Sequence, residues 1–323
     1  MQTQTYNEIL AIINQIEFII IDKKVFDLYP IIATALKNKK YYLIEDPEKN
    51  KNLDDYQKIT NYFLNHKISR RSRILSIGGG AVSDLAGFVA ATVLRGVQWE
   101  VIPTSLLAMI DASIGGKVGI NTESGKNLLG AFHEPVTIHL YPEFIKTLPE
   151  QEVKSGQGEL LKYTFLSEEI YQEVLSNGYT DSLIAKCTSY KKKIIKTDLQ
   201  ENGPRKMLNF GHTFGHAVEK SLGIPHGVAV YFGIKMILEM YSPHLVDDFS
   251  KIVQKLEFNF ENLPKMDFKK FCHYLSFDKK RNEYGAIEFI IPLGIGELEI
   301  RPFDINNVSK EIEEHEIFKN YFV

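Results

Sequence analysis

The sequence predicts an α/β half followed by a mainly helical half, at residues 1–149 and 150–323. Three observations carry this. Up to Pro149, short runs rich in β-branched and aromatic residues alternate with longer stretches of helical periodicity, which argues for a parallel sheet covered on both faces. Beyond Pro149 helical patterns follow one another directly. At 323 residues the chain is long enough for two ordinary domains.

Taken in order, strands are expected at 18–21, 41–44, 74–77, 100–102 and 136–140, with helices at 25–36, 54–64 and 81–94. The third strand runs into Gly78, Gly79 and Gly80, then Ala81, Val82, Ser83 and Asp84. Glycines at a strand's C-terminal end, opening a helix, let backbone N–H groups and the helix dipole meet a phosphate. The dinucleotide fingerprint G-x-G-x-x-G is not matched, so a plain tight turn is the competing reading. The helix behind the turn is almost wholly apolar and is expected to be buried. That favours a Rossmann-like nucleotide-binding half with its pocket at the strand ends.

From Asp111 to Phe132 the chain carries five glycines interleaved with Lys117, Lys126 and Asn127. Lysine is a compact point charge suited to phosphate and carboxylate. The stretch is read as a loop closing on a small anion, against the alternative of a solvated surface loop.

In the second half, helices are expected at 150–165, 168–175, 182–197, 210–222, 229–241 and 245–256, and a hairpin at 286–292 and 297–300. Glu159 and Lys162 are three apart and share a helix face, the spacing of an ordinary surface ion pair. His212 and His216 are four apart, with Gly211 and Gly215 beside them, and His226 follows ten residues later. Each glycine costs a helix about 1 kcal/mol against alanine, so something is expected to approach this backbone closely. Two histidines on one face can bind a metal, but Thr213 stands where the short metalloprotease motif needs its glutamate. One glutamate with two histidines suits a catalytic zinc with an open position.

Composition excludes several classes. A net charge of −3 gives no strong pull toward nucleic acid or anionic membrane. Cys187 and Cys272 stand in no metal or redox spacing. The N-terminus lacks a secretory pattern, and no apolar run reaches the ~20 residues that span a bilayer. A cytosolic protein is expected.

Together these stretches resemble the 3-dehydroquinate synthase family of the sugar phosphate cyclases. The resemblance lies in Gly78 to Gly80 with the apolar run from Asp84, Leu94-Arg95-Gly96, Pro103-Thr104-Ser105, Asp111 to Asn121, Gly125 to Phe132, Glu159 to Tyr163, Leu208 to Glu219, His226-Gly227 and Asp278-Lys279-Lys280. It implies a dehydroquinate synthase-like fold, NAD, and a divalent metal, zinc or cobalt. It also implies a phosphorylated sugar acid as substrate, 3-deoxy-D-arabino-heptulosonate 7-phosphate, and a homodimer. By motif, the metal ligands are Glu159, His212 and His226, and His216 turns to the substrate. Lys117, Asn127, Lys162, Lys191, Arg205, Asn209 and Lys280 (or Lys279) bind substrate, and Arg95 does so from the neighbouring subunit. Gly79, Gly80, Asp84, Thr104, Ser105, Asp111, Lys117 and Lys126 hold the cofactor, with Glu48 and Lys51 on its adenosine side. Phe144, Thr147, Leu148 and Glu152 complete the implied cofactor set.

The chain departs from the family pattern at Ser105, Val118 and Val228. It also lacks the opening hairpin before the first strand, which bears on Asp22. Other readings are a sister cyclase acting on a different sugar phosphate, a metal-dependent polyol dehydrogenase, and an inactive binding protein.

Overall fold

The computed structural model describes residues 2–258, 264–276 and 286–323. The chain forms two compact units, residues 1–149 and 150–323.

The first unit opens with helix α1 (Gln2–Gln15), which the sequence reading did not anticipate. Ile9 and Ile13 lie one turn apart on it and are buried, so the apolar face is narrow but present. Next come β1 (Phe18–Asp22), α2 (Lys23–Leu28) and α3 (Pro30–Leu36). The run 25–36, expected as one helix, breaks at Tyr29. Proline disfavours helical backbone in the residue before it, and Tyr29 sits at φ −122° and ψ 78°. The unit continues through β2 (Lys40–Ile44), α4 (Pro47–Asn50), α5 (Leu53–Asn65), β3 (Arg73–Gly78), α6 (Gly80–Thr92) and β4 (Gln98–Pro103). Helix α6 stops short of the expected residue 94, because Leu94 and Arg95 have left-handed φ of 54° and 69°.

The stretch read as a loop is instead an antiparallel hairpin, β5 (Lys117–Thr122) with β6 (Gly125–Phe132). Val118 and Ile120 alternate along β5 and bury in the core with α6. That period-two pattern is the strand signal the glycines masked. Close packing also explains two glycines. A Cβ at Gly119 would lie 2.7 Å from the Leu129 carbonyl oxygen, and one at Gly130 2.5 Å from that of Val118.

The main sheet is parallel, in the order β2-β1-β3-β4 with β7 (Thr137–Ile138) beside β4. Its last strand, expected over 136–140, shrinks to these two residues. Ile19, Ile20, Ile74, Leu75, Val101 and Ile102 are fully buried, as befits a parallel sheet covered on both faces.

The second unit comprises α7 (Glu150–Leu166), α8 (Glu168–Asn177), α9 (Ser182–Thr197), α10 (His212–Leu222), α11 (His226–Tyr241), α12 (Val246–Lys255), α13 (Phe268–Ser276), the hairpin β8 (Ile287–Gly294) and β9 (Glu297–Phe303), and α14 (Ile305–Glu314). Helices α13 and α14 were not expected from the sequence. Helix α10 starts at His212, two residues later than expected, because Gly211 adopts φ 77°. Helix α11 starts three residues earlier, at His226, right after Pro225.

The glycines of this unit are points of backbone contact. A Cβ at Gly158 would fall 1.8 Å from the Gly227 carbonyl oxygen, and one at Gly227 1.7 Å from that of Ser155. One at Gly233 would fall 1.9 Å from the carbonyl oxygen of Gly211. What approaches the α10 backbone closely is therefore α11.

Candidate metal centre and substrate site

The α7–α11 crossing decides the geometry of the centre. Gly158 precedes Glu159, and Gly227 follows His226. Backbones that touch at this pair set the two ligand side chains against each other. The Gly227 N–H donates to Ser155 Oγ (3.2 Å), which fixes the start of α11.

Glu159, His212 and His226 converge, with one ligand atom from each lying within 4.8 Å of the others. Glu159 is wholly buried. Its Oε1 lies 3.2 Å from His212 Nε2 and 3.0 Å from His226 Nε2. The other ring nitrogens are engaged elsewhere. His212 Nδ1 faces the Phe210 carbonyl oxygen at 3.1 Å, and His226 Nδ1 faces Glu219 Oε2 at 2.9 Å. Metal-binding histidines are held in this way, one nitrogen toward the ion and the other donating to a carbonyl or carboxylate. The donor set, two imidazoles and a carboxylate, is also that of catalytic zinc sites with an open position. The residues present therefore fit a divalent cation.

Electrostatics agree with that fit. Burial pushes the Glu159 carboxyl up, but Lys162, His212 and His226 outweigh it and hold the group well below the usual range. Burial lowers the pKa of His212, only partly offset by Glu159. Burial opposes charge on His226 too, yet Glu159 and Glu219 together raise it to about 10.

Lys162 is also buried, with Nζ 2.5 Å from Glu159 Oε2. The three-residue spacing that reads as a surface ion pair is here an internal one. His216 is half-buried, its ring 5.5 Å from that of His212 and 5.8 Å from that of His226. All three histidines therefore share one place.

Lys191 on α9 and Arg205 in the turn before α10 are buried. Arg205 is held at both ends. Its backbone N–H donates to Asp198 Oδ2 (3.0 Å) and its guanidinium to the Leu199 carbonyl (2.5 Å). Asn209 donates to Glu201. Asp198 and Glu201 stand in no sequence motif, and Glu219 ends one without a role assigned to it; acidic spacing alone carries no signal for a residue that braces another. Lys279 and Lys280 lie outside the described residues.

In the first unit, the turn after β3 places Gly79 as the N-cap of α6, with no side chain capping the helix. A Cβ at Gly79 would meet Ser105 Oγ at 3.5 Å, and one at Gly80 would meet Ala112 Cβ at 3.1 Å. This brings Gly79 and Gly80 beside Ser105 and the π-helical turn Ala108–Ala112 that carries Asp111. Thr104 N–H donates to the Gly78 carbonyl (2.9 Å). A helix start without a side-chain cap, approached by glycine, fits a phosphate of a dinucleotide.

A second group gathers around Lys51. Its Nζ lies 2.5 Å from both Asp84 Oδ2 and Asn127 Oδ1. Asn121 ties the group together, donating to Glu48 Oε1 (3.1 Å) and accepting from the Asn127 N–H (3.1 Å). Lys126 Nζ is 3.7 Å from Glu48. The structure thus joins Glu48, Lys51, Asp84, Lys126 and Asn127, which the sequence spreads over 80 positions. Lys117 is exposed at the start of β5, and Arg95 is exposed in its left-handed turn. Phe144 is buried against Tyr29, whose hydroxyl bonds Thr147 Oγ1 at 2.8 Å. Leu148 is half-buried, and Glu152 is exposed on the first turn of α7.

Comparison with known proteins concerns the chain as a whole. The sequence matches the family model for the 3-dehydroquinate synthase N-terminal region over residues 41–155, and that for the C-terminal region over residues 156–281. A 3-dehydroquinate synthase of Staphylococcus epidermidis is 35% identical over 325 residues, covering 94% of this chain and 90% of the relative. One of Staphylococcus aureus is 37% identical over 305 residues, covering 89% and 84%. Among solved structures, a 2-deoxy-scyllo-inosose synthase complexed with carbaglucose-6-phosphate, NAD+ and Co2+ superposes with a TM-score of 0.80 at 24% identity, over 92% of this chain and 90% of that one. A probable glycerol dehydrogenase from Sinorhizobium meliloti superposes with a TM-score of 0.61 at 14% identity, over 98% and 96%. These two likenesses concern the fold. The agreement in sequence along both units concerns descent, and by it the chain belongs to the 3-dehydroquinate synthase family.

Proposed function

We propose that the chain converts 3-deoxy-D-arabino-heptulosonate 7-phosphate to 3-dehydroquinate and phosphate, the activity its family and its curated relatives carry. The observation that carries the reading is the convergence of Glu159, His212 and His226, with Lys162 buried against the same carboxylate.

When bound, a divalent metal supplies a Lewis acid that eases loss of a hydroxyl proton near neutral pH, and NAD supplies a hydride acceptor that is restored within each turnover. The chain's own residues do the rest. Glu159, His212 and His226 hold the cation. Lys162, Lys191 and Arg205 are buried cations suited to the phosphate and carboxylate of a sugar acid, and Asn209 and His216 are suited to its hydroxyls. Lys117, Asn127 and one of Lys279 and Lys280 add substrate contacts. The substrate's own phosphate takes the neighbouring C–H proton as it is eliminated, so these groups act chiefly by fixing its geometry. Gly79 and Gly80 with the uncapped start of α6 seat the cofactor's phosphates. Asp84, Thr104, Ser105, Asp111, Lys126, Glu48 and Lys51 complete its site, with Phe144, Thr147, Leu148 and Glu152. The protein works as a cytosolic homodimer in which Arg95 serves the neighbouring subunit. No described helix is long and apolar enough to cross a membrane.

The test follows phosphate release and reduced-cofactor absorbance together, with the sugar acid phosphate, catalytic NAD and zinc, with and without chelator. Chelator-sensitive phosphate release without accumulating reduced cofactor is expected. Accumulating reduced cofactor without phosphate release would overturn the reading in favour of a dehydrogenase.

A further inference from the structure

His226 has two ring nitrogens and two carboxylates to satisfy. Its Nε2 points at Glu159 Oε1, on the ligand side of the trio, and its Nδ1 at Glu219 Oε2. An ionised carboxylate can only accept a hydrogen bond. A Glu219 carboxylate 2.9 Å from Nδ1 therefore keeps a proton there, so that a cation displacing the Nε2 proton meets the Nε2 lone pair.

The brace is itself held. Glu219 sits near the C-terminal end of α10, and its carbonyl accepts from the N–H of Gly223 (2.7 Å), the left-handed residue that ends the helix. Its side chain is about four-fifths covered, at 21% exposure. The short turn Gly223 to Pro225 then delivers His226 at the start of α11. His212 needs no such partner, because a backbone carbonyl, that of Phe210, does the same work. One ligand histidine is thus oriented by the main chain and the other by a side chain that substitution can remove.

We propose that Glu219 is a positioning residue of the metal centre, fixing the Nδ1–H tautomer and ring orientation of His226. The proposal rests on the reading of Glu159, His212 and His226 as metal ligands. Outer carboxylates of this kind are worth about 10- to 100-fold in metal affinity.

The test is zinc affinity of the full chain, stripped of metal and titrated against a chromophoric chelator, for wild type, Glu219→Ala and Glu219→Gln. NAD affinity and thermal midpoint of the metal-free chains are measured alongside. Glu219→Ala is expected to lose about 10- to 100-fold in zinc affinity. Glu219→Gln, which keeps an oxygen to accept from Nδ1–H, should lose distinctly less. NAD affinity of both variants should match wild type. Zinc affinities within about threefold of wild type in both variants would overturn the proposal. So would losses accompanied by weaker NAD binding, since these assign Glu219 to the fold; a lower metal-free midpoint is itself expected, because Glu219 also stabilises the charged ring of His226. A wild-type chain without zinc affinity would overturn the metal reading as well; wild-type binding that Glu219→Ala leaves intact would overturn the positioning role alone.

Discussion

His226 is where the chemistry of single residues is most exposed to measurement. Burial opposes its charge, but the carboxylates of Glu159 and Glu219 raise its pKa to about 10, against about 6.5 for an unperturbed histidine. A folded pKa above the unfolded one means the charged ring stabilises the metal-free fold fully below about pH 6.5, and that this is lost as pH rises through about 10. The thermal midpoint of chelator-treated protein should therefore fall between pH 6.5 and 10, in addition to any general trend. The sharper check is His226→Asn, whose midpoint should lose that slope; identical slopes in the two proteins would refute the assignment. At His212, substitution by alanine removes one of the trio's nitrogen donors. Turnover in His212→Ala should drop below detection and added zinc should not restore it. Near-normal activity in this variant would sink the metal assignment.

Among elements, the crossing of α7 and α11 controls the centre. Gly158 touches the Gly227 backbone so closely that a methyl group has nowhere to go but into a carbonyl oxygen. Overpacking a well-filled site costs about 1–3 kcal/mol, and more where the neighbour is backbone that cannot turn aside. Gly158→Ala should destabilise the protein by at least about 3 kcal/mol and weaken metal binding, because Glu159 moves with the helix. A denaturant midpoint equal to wild type would show that the helices part at no cost. The turn before α10 has its own brace. Asp198 accepts N–H bonds from Asn202 (3.0 Å), Gly203 (2.7 Å) and Arg205 (3.0 Å). Asp198→Ala should raise KM for the phosphorylated substrate more than it lowers kcat, because it frees the turn that presents Arg205. An unchanged KM would show that the turn holds without its acid.

At the scale of the whole molecule, the proposed dimer makes a claim that neither subunit can test alone. If Arg95 serves its neighbour's substrate, then Arg95→Ala and His212→Ala damage different parts of one composite site. A closed two-fold dimer assembled from one copy of each variant contains one intact site and one doubly damaged site. Mixing the two inactive variants under conditions of subunit exchange should restore part of the activity. Failure to recover any, with heterodimers verified by mass, would place Arg95 within its own subunit's site or outside the chemistry.

Much of this was legible in the residues. Strands β1 to β4 announce themselves as apolar runs, because a strand buried on both faces tolerates little else. The turn at Gly78 to Gly80 is legible because glycines end a strand and open a helix; spacing alone pairs His212 with His216, and the trio Glu159, His212 and His226 is implied only by the resemblance to the family. Other features were hidden by competing local signals. The glycines of 115–130 read as a loop, yet Val118 and Ile120 alternate into the core and make a hairpin. Pro30 splits a run whose periodicity continues across it. Helix α1 leaves a faint signal, because among its described side chains only Ile9 and Ile13, both in its second half, are buried.

The sequence by itself determined the main strands and most of the helices, the family and the identity of the residues that carry charge and lone pairs, since these are properties of side-chain type and spacing. Only the tertiary structure decided which of them meet. The Glu159–Lys162 pair is internal instead of superficial because α7 lies buried at that turn. Lys51 meets Asp84 and Asn127 because a hairpin folds back over α6. Glu219 reaches His226 because a left-handed glycine turns the chain between α10 and α11. Each of these is a contact between residues whose separation along the chain or orientation no local pattern encodes, and burial and backbone geometry alone bring them within bonding distance.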